Sequence, residues 1–221
     1  MVDIKNYTKE EIRQKEIDKY DEKYFENEYW REDIPGYESS TGYSYNDPDH
    51  SRRFTLMADI LEELAFHSIL DVGCGKGVLV KKLIKRGYDV KGTEISEYVI
   101  RNYLSELHSD RIINQASLRN LPFDNNSFDI VFCSDVLEHI PFFDVKQSIG
   151  ELVRVVNGII VATINIDNPY KYHPTILSRD TWNYLFLQEG VDILEDVRHN
   201  IQTKMDEHRP EYDFFVFKVP Q

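Results

Sequence analysis

The sequence predicts an α/β protein, a mostly parallel sheet of seven strands with helices packed on both faces. Three observations predict it. Short apolar runs alternate with helical stretches of about 10 to 15 residues, the pattern of a parallel sheet covered by its crossover helices. A glycine-rich turn, with Gly73, Gly75 and Gly77, stands directly behind the first of these runs. A chain of 221 residues also has room for one such core with an appendage, and two domains would be cramped.

The elements follow in order. Residues 1 to about 50 stand apart: they hold half of the 14 tyrosines, many charges, and only a weak helical pattern over 9–30. This segment, 1–50, is expected to be a helical, tyrosine-rich lid on a core spanning 51–221. From Phe54, FTLMADILEELAF sets Leu56, Ile60, Leu61 and Leu64 on one helical face and ends just before the strand SILDV. A helix (VLVKKLIKRG), a strand (YDVKGTEI), a helix (SEYVIRNYLSEL) and a short strand (RIINQA) come next. The loop LPFDNNS leads to the strand FDIVFCS, a helix from Asp144 to Val156, and the strand GIIVATI. After the irregular stretch DNPYKYHPTILS, the helix RDTWNYLFLQEG precedes two late strands, VDILED and DFFVFKV.

Charge narrows the class of partner. Lys and Arg total 26 against 39 Asp and Glu, for a net charge of -13. Such a field repels phosphate backbones and anionic lipid, so neither nucleic acid nor membrane is an expected partner. No run approaches the roughly 20 apolar residues of a membrane span, and the opening MVDIKNYTKE lacks a signal-peptide core, so a cytoplasmic protein is expected. The two cysteines, Cys74 and Cys133, make no disulfide framework and are read as small packing residues. No metal-ligand cluster is visible, and the oligomeric state is open.

In a doubly wound sheet the ligand sits beyond the carboxyl ends of the strands at the switch point. The turn there reads Asp71-Val72-Gly73-Cys74-Gly75-Lys76-Gly77. It is not a dinucleotide fingerprint, because the third glycine comes one place early, and it is not a P-loop, because Lys76 is followed by Gly77. Asp71 at the mouth of the turn opposes a pyrophosphate and suits a cation. Glu94 ends the next strand, close to the offset at which an acidic residue holds a ribose with two free hydroxyls. An adenosine carrying a cationic, phosphate-free tail satisfies both, and S-adenosylmethionine is such a molecule.

ILDVGCGKG, then GTEIS, then LPFDNNSFDIVFCSDVLEHI together resemble the class I S-adenosylmethionine-dependent methyltransferases, in particular small-molecule and sugar-tailoring types. The resemblance covers about residues 55 to 165. It implies a Rossmann-like sheet with an antiparallel late strand, formed by DFFVFKV beside VDILED. It implies that the backbone from Gly73 through Cys74 and Gly75 to Gly77 approaches the cofactor, with Asp71 near its amino end, Glu94 on the ribose and Ile95 beside the adenine. Similar enzymes have Asp-Ala just upstream of Leu-Pro-Phe for the adenine amino group; here Ser117 and Leu118 occupy those places. Ser134, at the end of the fourth strand, completes the expected cofactor side.

On the acceptor side stand His139 and His173, histidine being the usual base near neutral pH. His139 is read either as a base or as a residue fixing its loop. Tyr170, Tyr172 and the tyrosines of GYSYNDPDH are candidates for an aromatic pocket or for surface packing, and the pair Arg52-Arg53 for an anion contact or a solvated pair. The expected reaction is methyl transfer to O or N of a small polar metabolite or activated sugar. A non-catalytic S-adenosylmethionine-binding subunit is the competing reading, and a nicotinamide-dependent dehydrogenase is opposed by the glycine spacing and Asp71.

Overall fold

The computed structural model describes residues 7–26, 48–167, 173–206 and 213–220. The strands are β1 (Ser68–Val72), β2 (Asp89–Glu94), β3 (Ile113–Gln115), β4 (Phe128–Ser134), β5 (Val156–Thr163), β6 (Asp192–Ile193) and β7 (Phe214–Lys218). They form one sheet in the order β3-β2-β1-β4-β5-β7-β6. The first five run parallel, and β7 runs antiparallel to both its neighbours, β5 and β6. The strand order reverses between β1 and β4, so their carboxyl ends border the crevice where this architecture binds ligands.

Nine α-helices are described: α1 (Lys9–Asp18), α2 (Glu22–Phe25), α3 (Pro48–Glu62), α4 (Val78–Lys85), α5 (Glu97–Tyr103), α6 (Ser105–Ser109), α7 (Phe142–Val155), α8 (Arg179–Leu187) and α9 (Glu195–Asp206). Alternation along each strand divides the core in two. Ile69, Ile130, Phe132, Val161 and Val216 pack with Met57 and Leu61 of α3, Leu79 and Leu83 of α4, Ile100 of α5 and Met205 of α9. Leu70, Val72, Val131, Ile160 and Phe217 pack with Ile149 and Leu152 of α7 and Trp182 and Phe186 of α8. Each such side chain contributes about 1.5–3 kcal/mol by leaving water, which fixes register as well as stability. Among the described residues no helix is long and apolar enough to cross a membrane.

The expected antiparallel late strand is present, with one correction. VDILED is strand only at Asp192–Ile193, and from Glu195 the chain is helix α9. Val197, Ile201 and Met205, four residues apart, form the apolar stripe of α9 amid charged neighbours. The helix expected over 96–107 is broken at Leu104 into α5 and α6. In the amino-terminal segment, the weak helical pattern forms two short helices, α1 and α2; α1 opens with a capping box between Thr8 and Glu11. Phe25 of α2 enters the same core as Ile69. Tyr170, Tyr172 and the tyrosines of GYSYNDPDH lie outside the described residues.

Candidate cofactor and acceptor site

The glycine loop leaves β1 and enters α4 through three left-handed residues, with φ of +67° at Gly73, +52° at Gly75 and +71° at Gly77. Only glycine adopts such a sequence without strain. At Gly73 space is also denied, since a Cβ there would lie 2.5 Å from Cγ2 of Val136, in the turn after β4. The loop is tied to the end of β2. The Cys74 N–H donates to the Thr93 carbonyl at 2.9 Å, and the Gly75 N–H donates to Oε2 of Glu94 at 2.9 Å. Oε1 of Glu94 accepts the Ser96 N–H at 2.8 Å. Glu94 thus braces the loop, a role the sequence reading did not assign it. Each carboxylate oxygen accepts more than one hydrogen bond, so capacity for two ribose hydroxyls remains.

Asp71 is buried beneath this loop. Burial, reinforced by the neighbouring Glu94 carboxylate, pushes its carboxyl up to about 8. Burial also raises Glu94, opposed by the backbone N–H groups of Ser96 and Gly75. Two carboxyls unwilling to ionise together make a place where a cation is stabilised. The other predicted residues line the same edge of the sheet. Ile95, half-buried, follows β2, and its carbonyl accepts from Gln115 at 3.3 Å. Ser117 and Leu118 follow β3: the Ser117 hydroxyl accepts the Arg119 N–H at 3.3 Å, while the Leu118 side chain is core. Cys74 is a buried free thiol whose pKa burial drives well up.

Across the switch point, Ser134 ends β4, its hydroxyl 2.8 Å from that of Thr163 at the end of β5. Arg53 is not a solvated residue: it is buried, donates to Ser134 at 3.1 Å, and pairs with Asp135 at 3.1 Å. Arg52 is exposed. Asp135 has φ of +55°, and its N–H donates to the carbonyl and the hydroxyl of Thr163 at 3.0 and 3.1 Å. That held turn leads into a single 3-10 turn, Leu137–His139.

The two candidate histidines are brought together. The rings of His139 and His173 lie edge to face, with centroids 4.6 Å apart. Thr175 explains why segments more than thirty residues apart in sequence meet. Its N–H donates to the Glu138 carbonyl at 3.2 Å and its buried hydroxyl to the Ile140 carbonyl at 2.7 Å, pinning the chain after β5 onto the turn after β4. Glu138, absent from the predicted site, joins them: it is fully buried and, with His139 and His173, offers one ligand atom each within 4.8 Å of one another. No spacing in the sequence announces this grouping, because Glu138-His139 and His173 are close only in the fold.

The amino-terminal helices lie over this edge. Arg13 of α1 grips Asp144 of α7 with bonds of 2.8 and 2.6 Å, and Glu16 meets Arg119 at 3.0 Å. Glu26 accepts from Lys76 of the glycine loop at 3.1 Å and from Tyr98 and Tyr103. Between these anchors the Tyr20 carbonyl accepts the Ser96 hydroxyl at 2.6 Å, and the Tyr20 ring stands edge-on to His139 at 6.0 Å. Burial and the carboxyls of Glu16, Glu94 and Glu138 push the Tyr20 phenol well above its ordinary pKa. The side chain therefore lies between the glycine-loop half of the crevice and the histidine half.

A glycine loop braced by the acid of the next strand, at the switch point of this sheet, can be compared with known proteins. Residues 70–161 match the family described as "Methyltransferase domain". That stretch, from β1 through β5, holds every predicted site residue except His173. A ubiquinone biosynthesis O-methyltransferase of Nitrosomonas europaea is 28% identical over 135 residues, 58% of this chain and 56% of that protein. The chain spans about half the length of the curated relatives it matches. In architecture it is similar to an S-adenosylmethionine-dependent methyltransferase from Clostridium acetobutylicum, with a TM-score of 0.60, 14% identity, and coverage of 76% of this chain and 92% of that one. It is also similar to magnesium protoporphyrin IX methyltransferase of Synechocystis PCC 6803, solved with S-adenosylmethionine bound, with a TM-score of 0.57, 16% identity, and coverage of 78% and 80%. These likenesses to solved structures show the fold.

Proposed function

We propose that the protein is an S-adenosylmethionine-dependent methyltransferase acting on an oxygen of a small-molecule acceptor. The observation that carries the reading is the three-glycine loop clamped by Glu94 over a buried Asp71 that favours a cation. Asp71 faces the cationic methionine end of the cofactor, Glu94 the ribose, Ile95 and the turn at Ser117 and Leu118 the adenine, and Ser134 the far side of the crevice. S-adenosylmethionine supplies a methyl group made electrophilic by its sulfonium. The chain contributes mainly position and electrostatics. His139 and His173 act on the acceptor, loosening its proton as the new bond forms.

Oxygen is favoured as the acceptor atom because the curated relatives bear the name O-methyltransferase. A small polar metabolite or activated sugar fits the acidic surface, which disfavours nucleic acid. Residues 7–26 act as a lid of this site, a role supported by the grip of Arg13, Glu16 and Glu26 on Asp144, Arg119 and Lys76; residues 1–6 and 27–47 of the expected lid, 1–50, lie outside the described residues. A purely binding role is opposed by the intact loop and the presence of the ribose acid. Two measurements test the proposal. Calorimetry should give binding with S-adenosylmethionine and none with NAD. Incubation with methyl-labelled S-adenosylmethionine and a metabolite extract should then label a small molecule, and an unlabelled extract despite tight cofactor binding would leave only the non-catalytic reading.

A further inference from the structure

We propose that Glu138, His139 and His173 form a binding site for one divalent transition-metal ion on the acceptor side of the crevice. The three residues offer one ligand atom each within 4.8 Å of one another. Ligands about 2.1 Å from a common ion stand about 3–4 Å apart, so the most widely spaced pair needs to close by about 1–2 Å. The second observation concerns Glu138 alone. Its Oε1 accepts the Asn165 N–H at 3.1 Å, whereas Oε2, fully buried, has no hydrogen-bond partner among the described residues. An orphaned buried carboxylate oxygen carries a large desolvation penalty that a proton relieves only in part, since the new O–H would itself need an acceptor. A bound cation would give that oxygen the partner it lacks.

The donor set selects the ion. Two imidazoles and one carboxylate suit Zn²⁺, Co²⁺, Mn²⁺ or Fe²⁺ better than Ca²⁺ or Mg²⁺, which take oxygen ligands. Three protein ligands leave further positions open, the arrangement of sites at which a metal acts on a bound oxygen. The setting is prepared for it. Thr175 pins the segment bearing His173 to the turn bearing Glu138 and His139, and the Tyr20 ring stands edge-on to His139.

The role of the ion rests on the methyl-transfer reading; its binding does not. The acceptor hydroxyl coordinates the ion, which lowers its pKa, and the proton passes to water. The resulting oxyanion donates an electron pair to the methyl carbon as the carbon–sulfur bond breaks. That bond's pair stays on sulfur, giving neutral S-adenosylhomocysteine and the methylated acceptor with the ion unchanged. The two histidines then serve as ligands, and the ion takes over the loosening of the proton.

The experiment uses the full chain stripped by a chelator and titrated with Zn²⁺ alone, followed by Co²⁺ for its visible ligand-field bands. One ion per chain is expected at micromolar affinity, weakened at least tenfold in Glu138→Gln and in His173→Ala. The half-buried His173 makes the second variant the safer test if the first fails to fold, and unfolding temperatures measured without metal show which variants are intact. Absence of binding to 1 mM ion, or equal binding by wild type and folded His173→Ala, overturns the site. S-adenosylmethionine binding is measured on the stripped protein in parallel. Its loss with ion binding intact counts against the methyltransferase reading alone, and the converse result counts against the metal site alone.

Discussion

Binding of S-adenosylmethionine should expel a proton from Asp71. In the free protein this carboxyl titrates at about 8, because it is buried and faces Glu94. At pH 7 it is therefore roughly nine-tenths protonated. A sulfonium and an ammonium beside it favour the anion, so the bound state has the lower pKa. The difference in bound protons sets the pH dependence of affinity, and Kd should fall about tenfold per pH unit between about 6 and 7.5, levelling above about 8. Calorimetry in phosphate and in Tris, buffers of very different ionisation enthalpy, counts the proton directly, with about 0.9 released per cofactor at pH 7. Asp71→Asn keeps the shape but cannot ionise. It should release close to none, and it isolates whatever titration belongs to the cofactor itself. On folding the same group acts the other way. Its folded pKa, about 8, exceeds the ordinary 3.8, so its contribution to stability is full at low pH and is lost as pH rises between those values. The wild-type protein without cofactor should lose more stability than Asp71→Asn between pH 5 and 8. Buffer-independent heats together with a flat Kd from pH 6 to 7.5 in the wild type would refute the reasoning.

Three further outcomes are expected. Glu94→Ala should weaken S-adenosylmethionine by about 1.5–3 kcal/mol, the range for hydrogen bonds to a charged group, and should lower the unfolding temperature by releasing the Gly75 and Ser96 N–H groups; unchanged affinity by calorimetry places the ribose elsewhere. Arg13→Ala removes both bonds to Asp144 and should speed limited proteolysis within the first 26 residues while S-adenosylhomocysteine slows it; cleavage insensitive to both changes argues against a lid. Gly158→Ala puts a Cβ 2.4 Å from the Asp129 carbonyl oxygen of the adjacent strand, and denaturant unfolding should register a loss on the order of 1–3 kcal/mol, with no loss meaning that β4 and β5 part there more easily than their register suggests.

The parts of the molecule legible in the sequence are those whose signal is local. β1, β4 and β5 are largely apolar runs bounded by turns, and the loop at Gly73, Gly75 and Gly77 announces its left-handed backbone by composition. Asp71 and Glu94 could be placed because strand ends at a switch point are predictable from element order. What escaped depends on contacts between distant segments. Glu138 reads as an ordinary acid beside His139 until Thr175 folds the later loop back onto it. Arg53 reads either as an anion contact or as one of a solvated pair until Asp135 supplies its partner. Tyr20 is one tyrosine among many until the anchors at Arg13 and Glu26 set it between Glu94 and Glu138. A buried carboxylate next to a histidine, followed by a second histidine after the next strand, was the available signal for the cluster, but it required knowing that Glu138 would be buried.

The placement of β7 bears on how the chain is made. β5 finds its last partner about 50 residues later in the chain, when Phe214–Lys218 slots between it and β6. At about 5–20 residues per second, a ribosome leaves the outer edge of β5 open for several seconds. That edge runs through Ile159, Ile160, Val161 and Ala162, an uncharged apolar segment able to pair with any passing strand. The nascent protein is therefore most vulnerable to aggregation late in synthesis, after its cofactor loop has formed. Occupancy of that loop during translation cannot shield the exposed edge.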